Sequence, residues 1–280
     1  MGGRYKPMTA AQVAKAKRQR RGEIRIPYTP YFEGTQIRSK GRLVRVQSIK
    51  TGRVANLPSE LEGSNLLLAD FDPAVTEHYE NVALDLTKSY TIARRLRRRH
   101  IRSRAKGRPL VPMTTDLVVR FGADDPQARS ETAVHVKYRS DFTGRRAKRN
   151  AGQLLIESTY HAVEGRSHCL STDEHAPMVV IANLTWLREA LLPGAAAVSP
   201  RKQKAFEIAF EDTDPEATIR DRIDSAAAIC RLTDAGAIDA FRRAVWFQRI
   251  KADLNTWLRL GRVLCLPTSP NQGVSFPWDR

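Results

Sequence analysis

Four residues in this sequence have types and spacing that would suit one chemistry, hydrolysis of a phosphodiester: Glu62, Asp116, His135 and Lys137. The runs Thr115–Phe121 and Thr132–Tyr138 alternate polar and apolar residues, as half-buried strands do. Residues two apart on a strand share a face, so Asp116 points with Val118 and Arg120, and His135 points with Lys137. If the polar loop Gly122–Glu131 closes with Phe121 near Thr132, Asp116 lies across from Lys137 and Val118 across from His135. One sheet face would then carry an acid, a lysine and a histidine, with Glu62 supplied from a preceding helix. Metal-dependent phosphodiesterases are built this way. The acids hold Mg²⁺, with Mn²⁺ as the alternative ion; the ion polarises the phosphoryl oxygen and activates a water, and the lysine stabilises charge or positions that water. The same residues also admit plainer roles. Asp116 and Lys137 could form an ordinary cross-strand ion pair, His135 could be a satisfied interior histidine, and Glu62 the third residue of a capping box.

The elements that must position these groups can be followed along the chain. Leu43–Ser48 reads as a strand ending in the turn Lys50-Thr51-Gly52. Ser59-Glu60-Leu61-Glu62 reads as the start of a helix of about three turns, stopped by Phe71-Asp72-Pro73. Val75–Leu86 resembles a strand, and Thr91 to about Ile101 a short basic helix. Arg145–Val163 reads as a helix with Leu154, Leu155, Thr159 and Val163 on one face, and Arg166–Thr172 as a strand. The order is that of an α/β unit. Beyond Pro177 the pattern turns helical, including Ala217–Ile229 and Ala237–Trp257, with a small terminal strand at Arg262–Pro267. The 280 residues, 41% hydrophobic and 28% charged, suffice for two folded domains. The expected division is a basic arm at 1–22, a catalytic domain at 23–175 and a second domain at 176–280.

Charge narrows the partners. The net charge is +17, and it is uneven: residues 1–175 carry 33 basic and 18 acidic groups, whereas 176–280 carry 14 and 12. A polyanion is therefore expected on the first part. The candidate phosphate-binding residues are Lys15, Arg18, Arg20 and Arg21 of the arm, and Arg94, Arg97, Arg98, Arg99 and Arg102. Nine of the fifteen residues from Arg94 to Arg108 are Lys or Arg, a run that faces either solvent or phosphates. Cys169, Cys230 and Cys265 lack the spacing of a disulfide framework or zinc ribbon and are expected to be reduced. His161, His168, Cys169 and His175 cluster in sequence but match no standard zinc pattern. No GxSxG, GxxxxGK[ST] or GxGxxG is present, so ATP or NAD chemistry is not indicated. With no apolar run of about 18 residues and no signal-type h-region, a cytoplasmic protein with no membrane partner is expected.

Several short motifs occur together in the order and approximate spacing of the TnsA family. They are Ser59-Glu60-Leu61-Glu62, Leu66-Leu67-Leu68-Ala69-Asp70-Phe71-Asp72-Pro73, Thr91-Ile92-Ala93, Met113-Thr114-Thr115-Asp116 and Val136-Lys137. With the helix around Ile156-Glu157 and the segment Asn183–Leu187, the resemblance covers roughly residues 25–187. TnsA is the endonuclease subunit of the heteromeric transposase of Tn-seven-type bacterial elements. The resemblance implies a restriction-endonuclease-like, PD-(D/E)xK, N-terminal domain and a mainly helical, winged-helix-like C-terminal domain. It also implies cutting near the 5′ ends of the element during cut-and-paste transposition, on double-stranded DNA at the nucleoid. The partners it implies are a TnsB-type transposase and a TnsC-type AAA+ regulator, the latter held by the C-terminal domain. Trp186, Trp246, Trp257 and Trp278 are the candidate anchors for that interface. Glu62 and Asp116 match the family's metal-binding acids and Lys137 its catalytic lysine. His135 departs from it, standing where the family usually has glutamine: its imidazole could ligate metal, or the neighbouring Val136 carbonyl could do so instead. The rival readings are a stand-alone restriction- or repair-type nuclease and a DNA-binding adaptor whose catalytic site has decayed.

Overall fold

The computed structural model describes residues 28–31, 42–102, 108, 110–122 and 130–279. The expected basic arm, with Lys15, Arg18, Arg20 and Arg21, lies outside them. The described residues of Met1–Ala69, Ala74–His175 and Pro277–Arg280 form one compact unit, and those of Asp70–Pro73 and Ala176–Phe276 a second.

The first unit is α/β. A hairpin of β1 (Val44–Gln47) and β2 (Val54–Leu57) precedes helix α1 (Glu60–Phe71). The turn between the strands uses Gly52 at φ +65, where a side chain would be strained. β2 escapes the sequence pattern because it is only four residues long, yet its Ala55 and Leu57 join Val46 and Leu66 in a core cluster. Ser59 starts α1 by accepting the Glu62 backbone N–H at 3.2 Å, and its hydroxyl donates to Glu62 Oε1 at 2.9 Å. The apolar run Leu66–Ala69 is fully buried, which fixes the rotation of α1 and hence the direction of Glu62.

A four-stranded mixed sheet follows, in the order β3 (Val75–Ala83), β4 (Thr114–Phe121), β5 (Ser130–Val136), β6 (Ser167–Ser171). The first two pairings are antiparallel and β5–β6 is parallel, bridged by helix α3 (Ala147–Val163). The hairpin register differs from the expected one by two residues: Phe121 pairs with Ser130 and Leu117 with Val134, and Asp116 lies just beyond the last pair. A two-residue slip preserves sheet faces, because the side-chain period is two.

Helix α2 spans Leu86–Arg95, beginning five residues before the expected Thr91. Asp85 caps it by accepting the Lys88 N–H at 2.8 Å. It ends in a Schellman turn, with Arg98 N–H donating to Ala93 O at 2.8 Å and Arg97 N–H to Arg94 O at 3.1 Å. Arg97 takes the left-handed position, φ +53, that glycine usually fills. In α3 the expected apolar face is the outer one: Val163 is 66% and Leu155 39% exposed. The buried face is Gly152, Ile156, Glu157, Tyr160 and His161. Two of these are polar, so hydrophobic phasing pointed the helix the wrong way.

The second unit is mainly helical: α4 (Met178–Arg188), α5 (Pro200–Glu211), α6 (Ile219–Cys230) and α7 (Asp234–Trp246). Ser199, Thr218 and Thr233 cap the last three by side-chain hydrogen bonds. α7 packs against the other three helices, burying Ala237, Ala240, Phe241 and Ala244. It stops at Trp246 rather than Trp257 because Gln248 turns left-handed at φ +57 and closes another Schellman turn without glycine. The expected strand Arg262–Pro267 is not a strand; Val263 makes one isolated bridge to Thr218. Trp246 and Trp278 are buried, so they do not serve as exposed anchors; Trp186 is half-buried beneath Arg242, and Trp257 is 46% exposed. Among the described residues no helix is long and apolar enough to cross a membrane.

Candidate functional site

The site forms where β4 and β5 part company beyond the Leu117–Val134 pair. There Asp116 turns its carboxylate across the gap, and its Oδ2 accepts the Val136 backbone N–H at 2.8 Å and the Lys137 ammonium at 3.0 Å. Lys137 Nζ also donates to the Val136 carbonyl at 2.7 Å. Asp116, the Val136 carbonyl and Lys137 therefore converge on one point, with the lysine ammonium supplying the positive charge there.

Glu62 joins them from α1. Its Oε1 accepts from Ser59, while its Oε2 is buried with no hydrogen-bond partner. Burial, with the Asp116 charge adding to it, raises the Glu62 carboxyl to about 8, although Lys137 and Ser59 pull the other way. Burial also works against the Lys137 charge, yet Asp116 and Glu62 outweigh it and hold the amine above its ordinary value. Two carboxyl groups thus face a single cation, Glu62 retaining its proton at neutral pH, and the Glu62 Oε2 is left without a partner.

A divalent ion would fit this donor set. Mg²⁺ and Mn²⁺ take hard oxygen ligands, and the oxygens here are the Asp116 carboxylate, the orphaned Glu62 Oε2 and the Val136 carbonyl. The third is a peptide oxygen, since among the described residues no group of three or more His, Cys, Asp or Glu side chains is placed to hold a metal by itself.

His135 is oriented otherwise. Its Nδ1 lies 3.6 Å from Asp116 Oδ2 but 2.7 Å from Glu157 Oε2, close enough for an ion pair though not aligned as a hydrogen bond. Glu157 is almost wholly buried. Burial works against its charge, but His135 and His168, whose Nε2 is 3.7 Å away, hold its carboxyl below the usual range. His161 stacks on His168 with centroids 5.6 Å apart and contacts Thr115 Oγ1 at 2.7 Å. Burial pushes His161 down to about 3, so it is neutral at physiological pH. His175 turns away, accepting the Thr172 N–H at 3.0 Å. This polar layer beneath the site is what sequence reasoning missed. Its signal was a glutamate and a histidine four apart in α3, one face round from the residues that looked apolar.

Arg94, Arg97, Arg98, Arg99 and Arg102 all line one cleft of about 1370 Å³. Arg108 and, from the α3 side, Arg145, Lys148 and Arg149 join them. Among the described residues no carboxylate lines the cleft, and none of these nine cations has an ion-pair partner.

No protein-family model matches the sequence, and no curated protein matches it at a significant level.

Proposed function

We propose that the chain is a metal-dependent DNA endonuclease that acts as the cleaving subunit of a heteromeric, TnsA-like transposase, cutting near the 5′ ends of its element. The observation that carries this reading is the convergence of Glu62, Asp116, the Val136 carbonyl and Lys137 on one point. The mixed sheet, with an acid from the preceding helix and a crossover helix behind it, supports a restriction-endonuclease-like fold for the first unit.

A bound divalent cation supplies Lewis acidity at the phosphoryl oxygen and lowers the pKa of a ligated water. The chain's own residues do the rest. Asp116 is fixed by the Val136 N–H, so its carboxylate is held in place before any ligand arrives. Glu62, rigidly set by the buried face of α1, supplies the second carboxyl, which would ionise where a cation offsets the cost of its burial. Lys137, whose amine stays protonated, offsets negative charge growing on the phosphoryl oxygens in the transition state. His135 and Glu157 pack behind β5 and keep the end of the strand in register with Asp116.

The nearly neutral, mainly helical second unit suits protein partners, here the TnsB-type transposase and TnsC-type regulator, better than DNA. The orientation of His135 toward Glu157 rather than toward Asp116 favours one rival, the adaptor without catalysis. Incubating the full chain with end-containing DNA, Mg²⁺ or Mn²⁺ and the partner proteins separates these readings. Metal-dependent nicking that disappears in Asp116→Ala, with duplex affinity retained, is expected. Full activity in Asp116→Ala refutes the site, cleavage without partners points to a stand-alone nuclease, and no cleavage under any condition to the adaptor.

A further inference from the structure

The basic cleft departs from ordinary helix chemistry at both of its walls. On the α3 side, the helix opens with Lys148 and Arg149 in its first turn, Arg145 and Arg146 just before it, no acidic residue and no side-chain cap. Cations at a helix N-terminus oppose the helix dipole. On the α2 side, Arg97 occupies a left-handed position that disfavours any side chain. Neither arrangement helps the fold. Sequence choices that break local rules in the same small region are expected where a ligand compensates, and nine cations without an ion-pair partner or an acid beside them among the described residues suit an anion of many charges.

The cleft also leads toward the catalytic cluster. Arg149, Gln153 and Glu157 succeed one another at four-residue steps along one face of α3. Gln153 lines the cleft, and Glu157, one turn on, touches His135. At 1.5 Å per residue, Arg149 lies about 12 Å along the helix from Glu157. The segment after Lys137 returns to the same wall, where Asn150 Nδ2 donates to Asp141 O at 2.7 Å.

We infer that this cleft is a phosphate track for duplex DNA, in which Arg145, Lys148 and Arg149 of α3 grip the backbone a few nucleotides from the phosphate to be cut. This rests on the nuclease reading and deepens it by naming the substrate path. Among the described residues Tyr90 is the one large aromatic lining the cleft besides His100, and the two pack edge to face. The cleft is therefore poor in stacking platforms for single strands and rich in backbone contacts.

The test uses the full chain without metal, so that binding is read apart from chemistry. Labelled duplex is titrated over a series of salt concentrations against the unmodified protein, Lys148→Gln/Arg149→Gln and Arg97→Gln/Arg98→Gln. Each phosphate contact contributes about 0.9 to the slope of log K against log salt, so each pair should flatten it by up to about 1.8. The α3 pair should also raise the melting temperature, since it relieves the dipole clash; a misfolded variant would lower it instead. With Mg²⁺ and partners added, the α3 pair should broaden the distribution of cut positions. An unchanged slope and affinity in the α3 pair overturns the track, even if the protein cleaves. Tighter, equally salt-dependent binding of an RNA duplex overturns the assignment to DNA. A flattened slope in a protein that never cleaves keeps the track and sinks the nuclease reading instead.

Discussion

Glu62→Gln offers a test of the site that needs neither DNA nor partners. In the folded chain the Glu62 carboxyl is raised from 4.5 to about 8 by burial and by Asp116. A carboxyl raised on folding contributes stability that is fully present below its unfolded pKa and is lost as pH rises through the folded value. The metal-free protein should therefore weaken steadily between about pH 4.5 and 8. At pH 7 the loss is about 2.5 units at 1.36 kcal/mol each, or roughly 3 kcal/mol. Glutamine keeps the contact with Ser59 and cannot ionise, so Glu62→Gln should match the unmodified protein near pH 4.5 and exceed it by roughly 3 kcal/mol at pH 7. For a unit of this size that is about 6–12 °C in melting temperature. Adding Mg²⁺ or Mn²⁺ at a hundred times its Kd should return about 2.7 kcal/mol to the unmodified protein and far less to the variant. Melting curves in chelator and in excess metal, taken across this pH range, decide the matter. Parallel pH profiles for the two proteins would refute the claim that Glu62 is a buried carboxylate waiting for a cation.

Other substitutions probe the surroundings. His135→Leu leaves Glu157 charged and buried beside one fewer partner and should destabilise the fold by about 3–5 kcal/mol; His135→Gln should keep much of the activity, and Glu157→Gln added to His135→Leu should restore most of the lost stability in a urea titration. Arg97→Gly should raise stability by about 0.5–1 kcal/mol, by relieving the left-handed turn, while weakening duplex binding; a fall in melting temperature would show that the arginine stabilises its own turn. Phe71→Ala removes a buried ring set edge-on to Trp246 with centroids 5.4 Å apart, and should lower the stability of the helical unit by about 3–5 kcal/mol, followed by tryptophan fluorescence.

Part of this protein was legible in the sequence because the relevant physics is local. The Ser59 cap, the leucine run of α1, the strands β4 and β5 and the density of arginine after Arg94 all express short-range rules and recur in the structure, although β4 and β5 are buried on both faces rather than half-buried, with Val118, Val119, Ala133 and Val134 all inside. Period-two alternation put Asp116, His135 and Lys137 on one face whatever the register, which is why a two-residue slip of the hairpin did not scatter them. Register itself depended on where the strands pair: the ladder ends at Leu117 and Val134, and Asp116, beyond it, meets the Val136 N–H and Lys137. Tertiary structure alone decided the rest. The rotation of α3 buries a Glu157–His135–His168 layer that no hydrophobic pattern could announce, because its ionisable groups come close to one another only when the sheet and helix meet. The second wall of the basic cleft, Arg145, Lys148 and Arg149, lies some fifty residues from the first in sequence and joins it only because α2 and α3 pack together through Ile92, Ala93, Ile156 and Tyr160. Burial likewise sets the charge of Glu62: the same residue at the exposed start of a helix would be an ordinary capping carboxylate, and in the interior beside Asp116 its carboxyl is raised to about 8.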